Sequence, residues 1–480
     1  MQNRIFNSLV VLCVLAVAVF SRFANAQDEQ RIIRILNVNI VDVVDGSIKP
    51  NQDVLIKEGK ITAVETSAEL NPNSGETTID GTNRFLIPGL WDMHVHWYDY
   101  KRCALFPLNG VTGIRVMSGI PFHRTWSSQF DSNKSIGPEM VIASPIIDGP
   151  NPIWPGSMEA ASADDAVRIF QQCLKLKPDF LKVYSLLPRD AYFKLAELAR
   201  AEGIPFSGHV PYTVSILEAS DAGHAAMEHL YEFAIACSSE EEELRKMQRE
   251  AMPDPQNPRT YFDDKEVLGT VMRRAIASFD EAKAQDVFAK LAKNKTWQCP
   301  TLTVIRNMAY LNTETVQSNP DVKYFAESVR KSLAPTPEQF NRNDDFYKHN
   351  QRIFEFNRRL IKPLHDAGVP LLAGTDCLNP FCLPGFSLHD ELELLVEAGL
   401  SPTESLRTAT INPAIFLGKT DSHGSIEPGK VADLVLLDAN PLENIGSTRK
   451  IHAVVLNGRL ITNEQRIAEL KKYDTTAITD

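Results

Sequence analysis

The sequence predicts an α/β fold whose main body is a parallel (β/α)8 barrel. Three observations carry this. Between Pro88 and Asp376, short apolar runs alternate with helical stretches. Eight of the runs read as strands: 90–97, 111–117, 140–147, 180–186, 205–210, 225–230, 297–304 and 370–376. Strand–helix alternation on that scale closes a parallel barrel. Second, no glycine-rich phosphate loop follows the first strand, which argues against the nucleotide-binding open sheet. Third, a chain of 480 residues is too long for one small domain, and its two ends read differently from its middle.

The elements follow in order. Residues 1–26 read as a secretory signal peptide: Arg4 gives the positive start, 9–20 is apolar, and Ala24-Asn25-Ala26 is a small-x-small cleavage site. The apolar run is short for a spanning helix, and no cysteine follows the cleavage site to take a lipid. The expectation is an exported protein, periplasmic or secreted, without a stable membrane anchor. Residues 27–87 form short strands with turns at Asp45-Gly46 and Glu58-Gly59-Lys60. The barrel occupies 88–421. Its helical patterns at 163–176 and 189–202 stop at Pro178 and Gly203. A charged helical insertion at about 235–295 follows a barrel strand at the end where active sites form, so it is a candidate lid. Residues 422–465 read as strands again, and 466–480 as a tail. Neither end builds a core alone, so both together make one small β-domain.

The net charge of −11 argues against nucleic acid and anionic membrane as partners. Seven cysteines form no zinc-type CxxC pattern. Cys377 and Cys382 are the closest pair outside the signal. Spacing alone decides neither their pairing nor the oligomeric state, and a homo-oligomer stays open.

The stretch LIPGLWDMHVH, residues 86–96, carries the most chemistry. His94 and His96 are two apart on an apolar strand and leave the same face. Two neutral imidazoles then converge on one point, as divalent metals require. Asp92 leads into the pair. Further ligand types stand on later strands. Lys182 lies within the apolar FLKVY, where a buried ammonium is costly. As a neutral amine it can take up carbon dioxide, and the carbamate would bridge two metal ions. His209 ends the fifth strand in GHVP, His229 the sixth in EHLYE, and Asp376 the eighth in AGTD. Each alone reads as structural; together they are a ligand set.

In these motifs the chain resembles the amidohydrolase superfamily, in its imidazolonepropionase-like and Xaa-Pro-dipeptidase-like branch. The segments GFSLHDELELLVEAGLSPTESLRTATINPAIFLG and GSIEPGKVADLVLLDANP extend the likeness over the whole mature chain. It implies a distorted (β/α)8 barrel beside a small β-sandwich made from both ends. It implies two divalent metal ions, zinc as a rule. His94, His96 and Asp376 would hold one, His209 and His229 the other, and carbamylated Lys182 would bridge them. One departure stands out: IIDGPNPIWPGS lacks the histidine that many relatives carry after strand three, so no relative's specificity transfers directly.

The expected reaction is hydrolysis of a carbon–nitrogen bond. Two metals sharing one water lower its pKa and supply hydroxide, and Asp376 moves the proton. No GxSxG elbow is present. Tyr184 or Tyr231 could donate to the developing oxyanion. His389, in FSLHDELELL, either orients the aspartate or the substrate, or caps the helix that follows. Trp91, Trp154, Tyr184 and Tyr231 are candidate walls of the mouth. The expected substrate is a dipeptide or a small N-acyl amino acid. Ester, lactone or phosphoester hydrolysis at the same site, and an inactive binding scaffold, are the competing readings.

Overall fold

The computed structural model describes residues 32–67, 76–251 and 265–476. The expected signal peptide and the proline-rich turn of the insertion lie outside them.

The barrel is built as expected. Seven parallel strands lie side by side in chain order: Leu90–Val95, Val111–Val116, Glu139–Asp148, Phe180–Val183, Phe206–Gly208, Ala226–Glu228 and Trp297–Cys299. The first two are buried along their whole length, which is why they read as unbroken apolar runs. The helices run over Ala163–Leu176 and Arg189–Glu202, stopped by Lys177 and Gly203 in left-handed conformation.

The eighth stave has no regular strand. Residues 370–377 close the barrel through isolated bridges, Leu371 to Gln298 on one side and Cys377 to Val95 on the other. The backbone bonds Met93 N to Ala373 O at 2.9 Å and Asp376 N to His94 O at 2.8 Å hold it to the first strand. Gly374 lies so close to its neighbours that a Cβ there would meet Cys299 Sγ at 2.5 Å and His94 Cβ at 2.8 Å. The seventh strand is also shorter than expected: it ends at Cys299, and a helix begins at Leu302. Glu391, from a distant helix, accepts hydrogen bonds from Leu302 N, Thr303 N and Thr303 Oγ1 at 2.7–3.0 Å and so caps that helix.

The two chain ends share one sheet. Its path runs Arg459–Thr462, Ile451–Leu456, Leu434–Leu437, Phe85–Pro88, Ile32–Val41, Ile48–Lys57, Lys60–Thr66, with Glu76–Asp80 also paired to Ile32–Val41. The expected sandwich is this single sheet curled on itself. Lys60 bridges to Val431, just before the strand Leu434–Leu437, and a core of Ile33, Ile35, Val54, Leu434 and Val455 fills the curl.

The inside of the barrel is layered. Trp91, Met93, Phe180 and Leu372 plug the floor, with Phe416 and Leu417 beneath. Arg115 lies between the Phe180 and Phe416 rings, 5.6 and 5.2 Å from their centroids. The polar groups of the site sit above this layer. The insertion supplies the helices Phe233–Ala236, Glu241–Glu250, Lys265–Ala277 and Glu281–Asn294. Among the described residues no helix is long and apolar enough to cross a membrane.

Candidate metal centre

The strand ends bring the expected ligand atoms together. His94 Nε2, His96 Nε2 and Asp376 Oδ1 form a triangle with all three sides 3.3 Å. A point just off its plane lies about 2 Å from each corner, the usual zinc–ligand distance. Asp376 Oδ1 is buried and has no hydrogen-bond partner. His229 Nε2 is 4.0 Å from Asp376 Oδ2, and the His94, His229 and Asp376 donor atoms lie within 4.8 Å of one another. The His209 and His229 rings are 4.8 Å apart. Lys182 is fully buried and its amine has no hydrogen-bond partner.

Partners outside the ligand set fix the imidazoles. His94 Nδ1 is 2.7 Å from Glu228 Oε2, and a carboxylate only accepts, so Nδ1 carries the proton and Nε2 keeps its lone pair. The Thr301 hydroxyl donates to Pro300 O at 2.8 Å, so its oxygen accepts from His229 Nδ1 at 2.6 Å, again freeing Nε2. His209 Nδ1 pairs with Ser185 Oγ at 2.8 Å. Arg115 donates from Nη2 to Glu228 Oε1 at 2.8 Å and from Nε to Met93 O at 2.6 Å. Asp92 accepts from Thr375 Oγ1 at 2.6 Å and Thr375 N at 3.0 Å, tying the eighth stave to the first strand.

Electrostatics suit cation binding. Burial brings His94 down to about 4 and His229 to about 3, and holds His209 well below its ordinary value. All three are therefore neutral, as ligands must be. Burial brings the Lys182 amine down to about 8. His229, Leu230 and Asp376 have φ of 68°, 58° and 57°, a left-handed region that costs non-glycine residues energy.

The remaining expected residues divide. The Tyr184 ring stacks on His209, centroids 3.9 Å apart, and its hydroxyl accepts from Trp154 Nε1 at 2.7 Å. The Tyr231 ring stacks on His229 at 4.9 Å and is 37% exposed at the mouth. The Tyr184, His209 and Tyr231 rings border a cavity of about 1240 Å³ whose far wall includes Leu268, Phe346, His349 and Ile353. Val271 and Met272 of the insertion contribute to that wall. His389 is elsewhere. It stands inside the helix Phe386–Glu397, not before it, with Nδ1 2.9 Å from Thr448 Oγ1 and Nε2 3.0 Å from Asn109 O. Asn109 precedes the second barrel strand, so His389 belongs to the opposite rim and packs that helix in place. Trp91 likewise points into the floor, not the mouth. The six cysteines among the described residues are free and buried.

Glu228, Arg115, Ser185 and Thr301 were not anticipated as site residues. For Glu228 and Arg115 the signal was present, a charge inside an apolar strand, as for Lys182. Ser185 and Thr301 carry no such signal.

A barrel with histidines, a lysine and an aspartate converging at its strand ends defines a class, and comparison with known proteins gives it a family. The model of the amidohydrolase family matches residues 187–461, and the chain belongs to that family. The imidazolonepropionase of Geobacillus kaustophilus is 38% identical over 114 residues, 23% of this chain and 26% of the relative. The probable imidazolonepropionase of Homo sapiens is 36% identical over 104 residues, 20% of this chain and 24% of the relative. The chain thus matches about a quarter of these relatives' length. Among solved structures, a bottromycin amidohydrolase superposes with TM-score 0.73 at 22% identity, covering 95% of this chain and 92% of that one. A putative prolidase from Bifidobacterium longum gives 0.63 at 20% identity, covering 92% and 99%. A Xaa-Pro dipeptidase with methionine in its active site gives 0.62 at 16% identity, covering 90% and 100%.

Proposed function

We propose that the protein is an exported, metal-dependent hydrolase of amide carbon–nitrogen bonds, with a dipeptide or small N-acyl amino acid as substrate. The observation that carries the reading is the triangle of donor atoms, His94 Nε2, His96 Nε2 and Asp376 Oδ1, beside an orphaned buried amine at Lys182. The names of the similar proteins support the bond class.

His94, His96 and Asp376 would hold one zinc ion, and His209 and His229 a second. The Lys182 amine adds to carbon dioxide, forming an N–C bond and releasing a proton, and the resulting anion would bridge the two. The ions, when bound, polarise the scissile carbonyl and lower the pKa of the attacking water. The chain's residues do the rest. Glu228 and Thr301 keep the protons of His94 and His229 on Nδ1. Asp376 Oδ2, on the oxygen turned from the triangle, takes a proton from the water and passes it to the leaving amine nitrogen. Tyr231, at the mouth, donates a hydrogen bond from its hydroxyl to the oxyanion. The cavity above has room for a short peptide.

The test is turnover of the zinc- and bicarbonate-loaded protein against dipeptides, N-acyl amino acids, lactones and phosphoesters, with metal counted in parallel. Two metals per chain and amide cleavage are expected. Cleavage of lactones or phosphoesters alone would overturn the amide reading, and absence of bound metal would overturn the centre. Export is checked by the N-terminal sequence of the secreted protein, expected to start at Gln27.

A further inference from the structure

The opposite end of the barrel carries a second cluster of ligand-type side chains, outside the reaction described above. Glu139 opens the third barrel strand, and Asp433 immediately precedes the β-domain strand Leu434–Leu437. His423 stands on the segment joining barrel to β-domain. One donor atom from each lies within 4.8 Å of the others.

His423 is held in a defined pose. Its Nδ1 pairs with Ser422 Oγ at 2.8 Å, and its ring meets Trp91 edge-on with centroids 5.9 Å apart. Its side chain is only 9% exposed. Its Nε2 lies 3.0 Å from Glu139 Oε2 but is not aligned to hydrogen-bond it, and this buried nitrogen has no hydrogen-bond partner. The catalytic end has the same signature: nitrogen and carboxylate atoms close together, aimed at a common point, with Asp376 Oδ1 likewise unpartnered. Lys419 bonds Glu139 Oε1 and leaves Oε2 to face His423. Asn457 N donates to Asp433 Oδ1 at 2.5 Å. A cavity of about 730 Å³ borders all three residues, which gives an ion an entry path and room for water ligands.

We propose that Glu139, His423 and Asp433 form a second divalent-cation site, distinct from the reaction centre, that pins the β-domain to the floor of the barrel. One imidazole and two carboxylates suit a zinc-type ion with water in the fourth position. The ion links the third barrel strand to the segment that enters the β-domain.

The experiment is zinc titration of the whole chelator-stripped protein, with bound zinc counted per chain and Tm followed. The variants are His423→Phe, Asp433→Asn and Lys419→Met. Wild type is expected to bind one zinc more than His423→Phe or Asp433→Asn, and zinc is expected to raise its Tm more than theirs. The catalytic ligands are intact in every variant, so the difference reads this site alone, whatever the reaction centre binds. Lys419→Met separates a metal site from a plain ion-pair network. With one cation gone from two carboxylates, it should melt lower without zinc and regain wild-type Tm with it. Equal zinc counts in wild type and folded variants overturn the proposal, as does a Lys419→Met melting point indifferent to zinc.

Discussion

Replacing Glu228 by glutamine changes one atom of the site and tests its whole logic. Arg115 can only donate, so the new amide must turn its oxygen toward Arg115 Nη2. Its NH2 then faces His94 Nδ1, 2.7 Å away in the parent, and forces that nitrogen to accept. The proton moves to Nε2, the atom 3.3 Å from His96 Nε2 and Asp376 Oδ1. A ligand is lost without any ligand being mutated. Changes to such supporting partners cost about 10–100-fold in metal affinity, or roughly 1.4–2.7 kcal/mol. Stability falls as well. Burial would raise the Glu228 carboxyl, but Arg115 and His94 bring it down from 4.5 to about 2, which is worth about 3 kcal/mol. A depressed carboxylate contributes that stability above its unfolded pKa and loses it as pH falls through the folded one. The gap between wild type and Glu228→Gln, read by urea melts of the metal-free proteins, should therefore be about 3 kcal/mol at pH 7 and shrink as pH falls from 4.5 toward 2. Metal affinity is read by chelator competition at pH 7. A folded Glu228→Gln that binds zinc as tightly as wild type refutes the tautomer argument.

Lys182→Ala should lose activity, and short carboxylic acids with bicarbonate should restore part of it; Lys182→Arg should stay inactive, because a guanidinium neither loses its charge nor binds metal. Wild-type turnover in Lys182→Ala would remove the lysine from the centre. Asp376→Asn should keep at least one metal but lose about 100-fold or more in kcat, since the amide cannot accept a proton; full activity would assign the proton to another group. His389→Ala should lower stability by about 1–3 kcal/mol, through the orphaned Asn109 carbonyl and the lost packing, while metal content and kcat stay unchanged. A kcat loss with metal intact would return His389 to the reaction.

The barrel and the candidate ligands were legible because both rest on short-range pattern. Seven strands announced themselves as apolar runs, His94, His96, Lys182, His209 and His229 stood out as polar residues in or just beyond them, and Asp376 stood out at the end of the eighth run. Where the reading failed, distant groups decided the structure. The run 297–304, WQCPTLTV, reads as one strand, but Pro300 has no N–H, Thr301 turns left-handed at φ 49°, and Glu391 caps the helix from 88 or 89 residues away. Nothing local marks that cap. The eighth stave fails to form a ladder because it must pass its backbone against His94 at Gly374 and then turn Asp376 into the site. His389 misled for the opposite reason. A histidine near a helix start resembles a site residue, and only the three-dimensional position of Asn109 and Thr448 shows that it is spent on packing.

The same contrast explains how the site is held. A ligand at a strand end is visible in sequence, but the state it must adopt is set from across the barrel. Arg115 on the second strand neutralises Glu228 on the sixth, and Glu228 fixes the tautomer of His94 on the first. Thr301, beyond the seventh strand, does the same for His229 on the sixth. The left-handed backbone of His229, Leu230 and Asp376 is strain that these cross-barrel bonds must outweigh. The arrangement therefore forms only when the barrel closes. Metal affinity and folding stability should consequently fall together in Glu228→Gln, whereas a ligand mutation such as His96→Ala should lower affinity with little loss of metal-free stability.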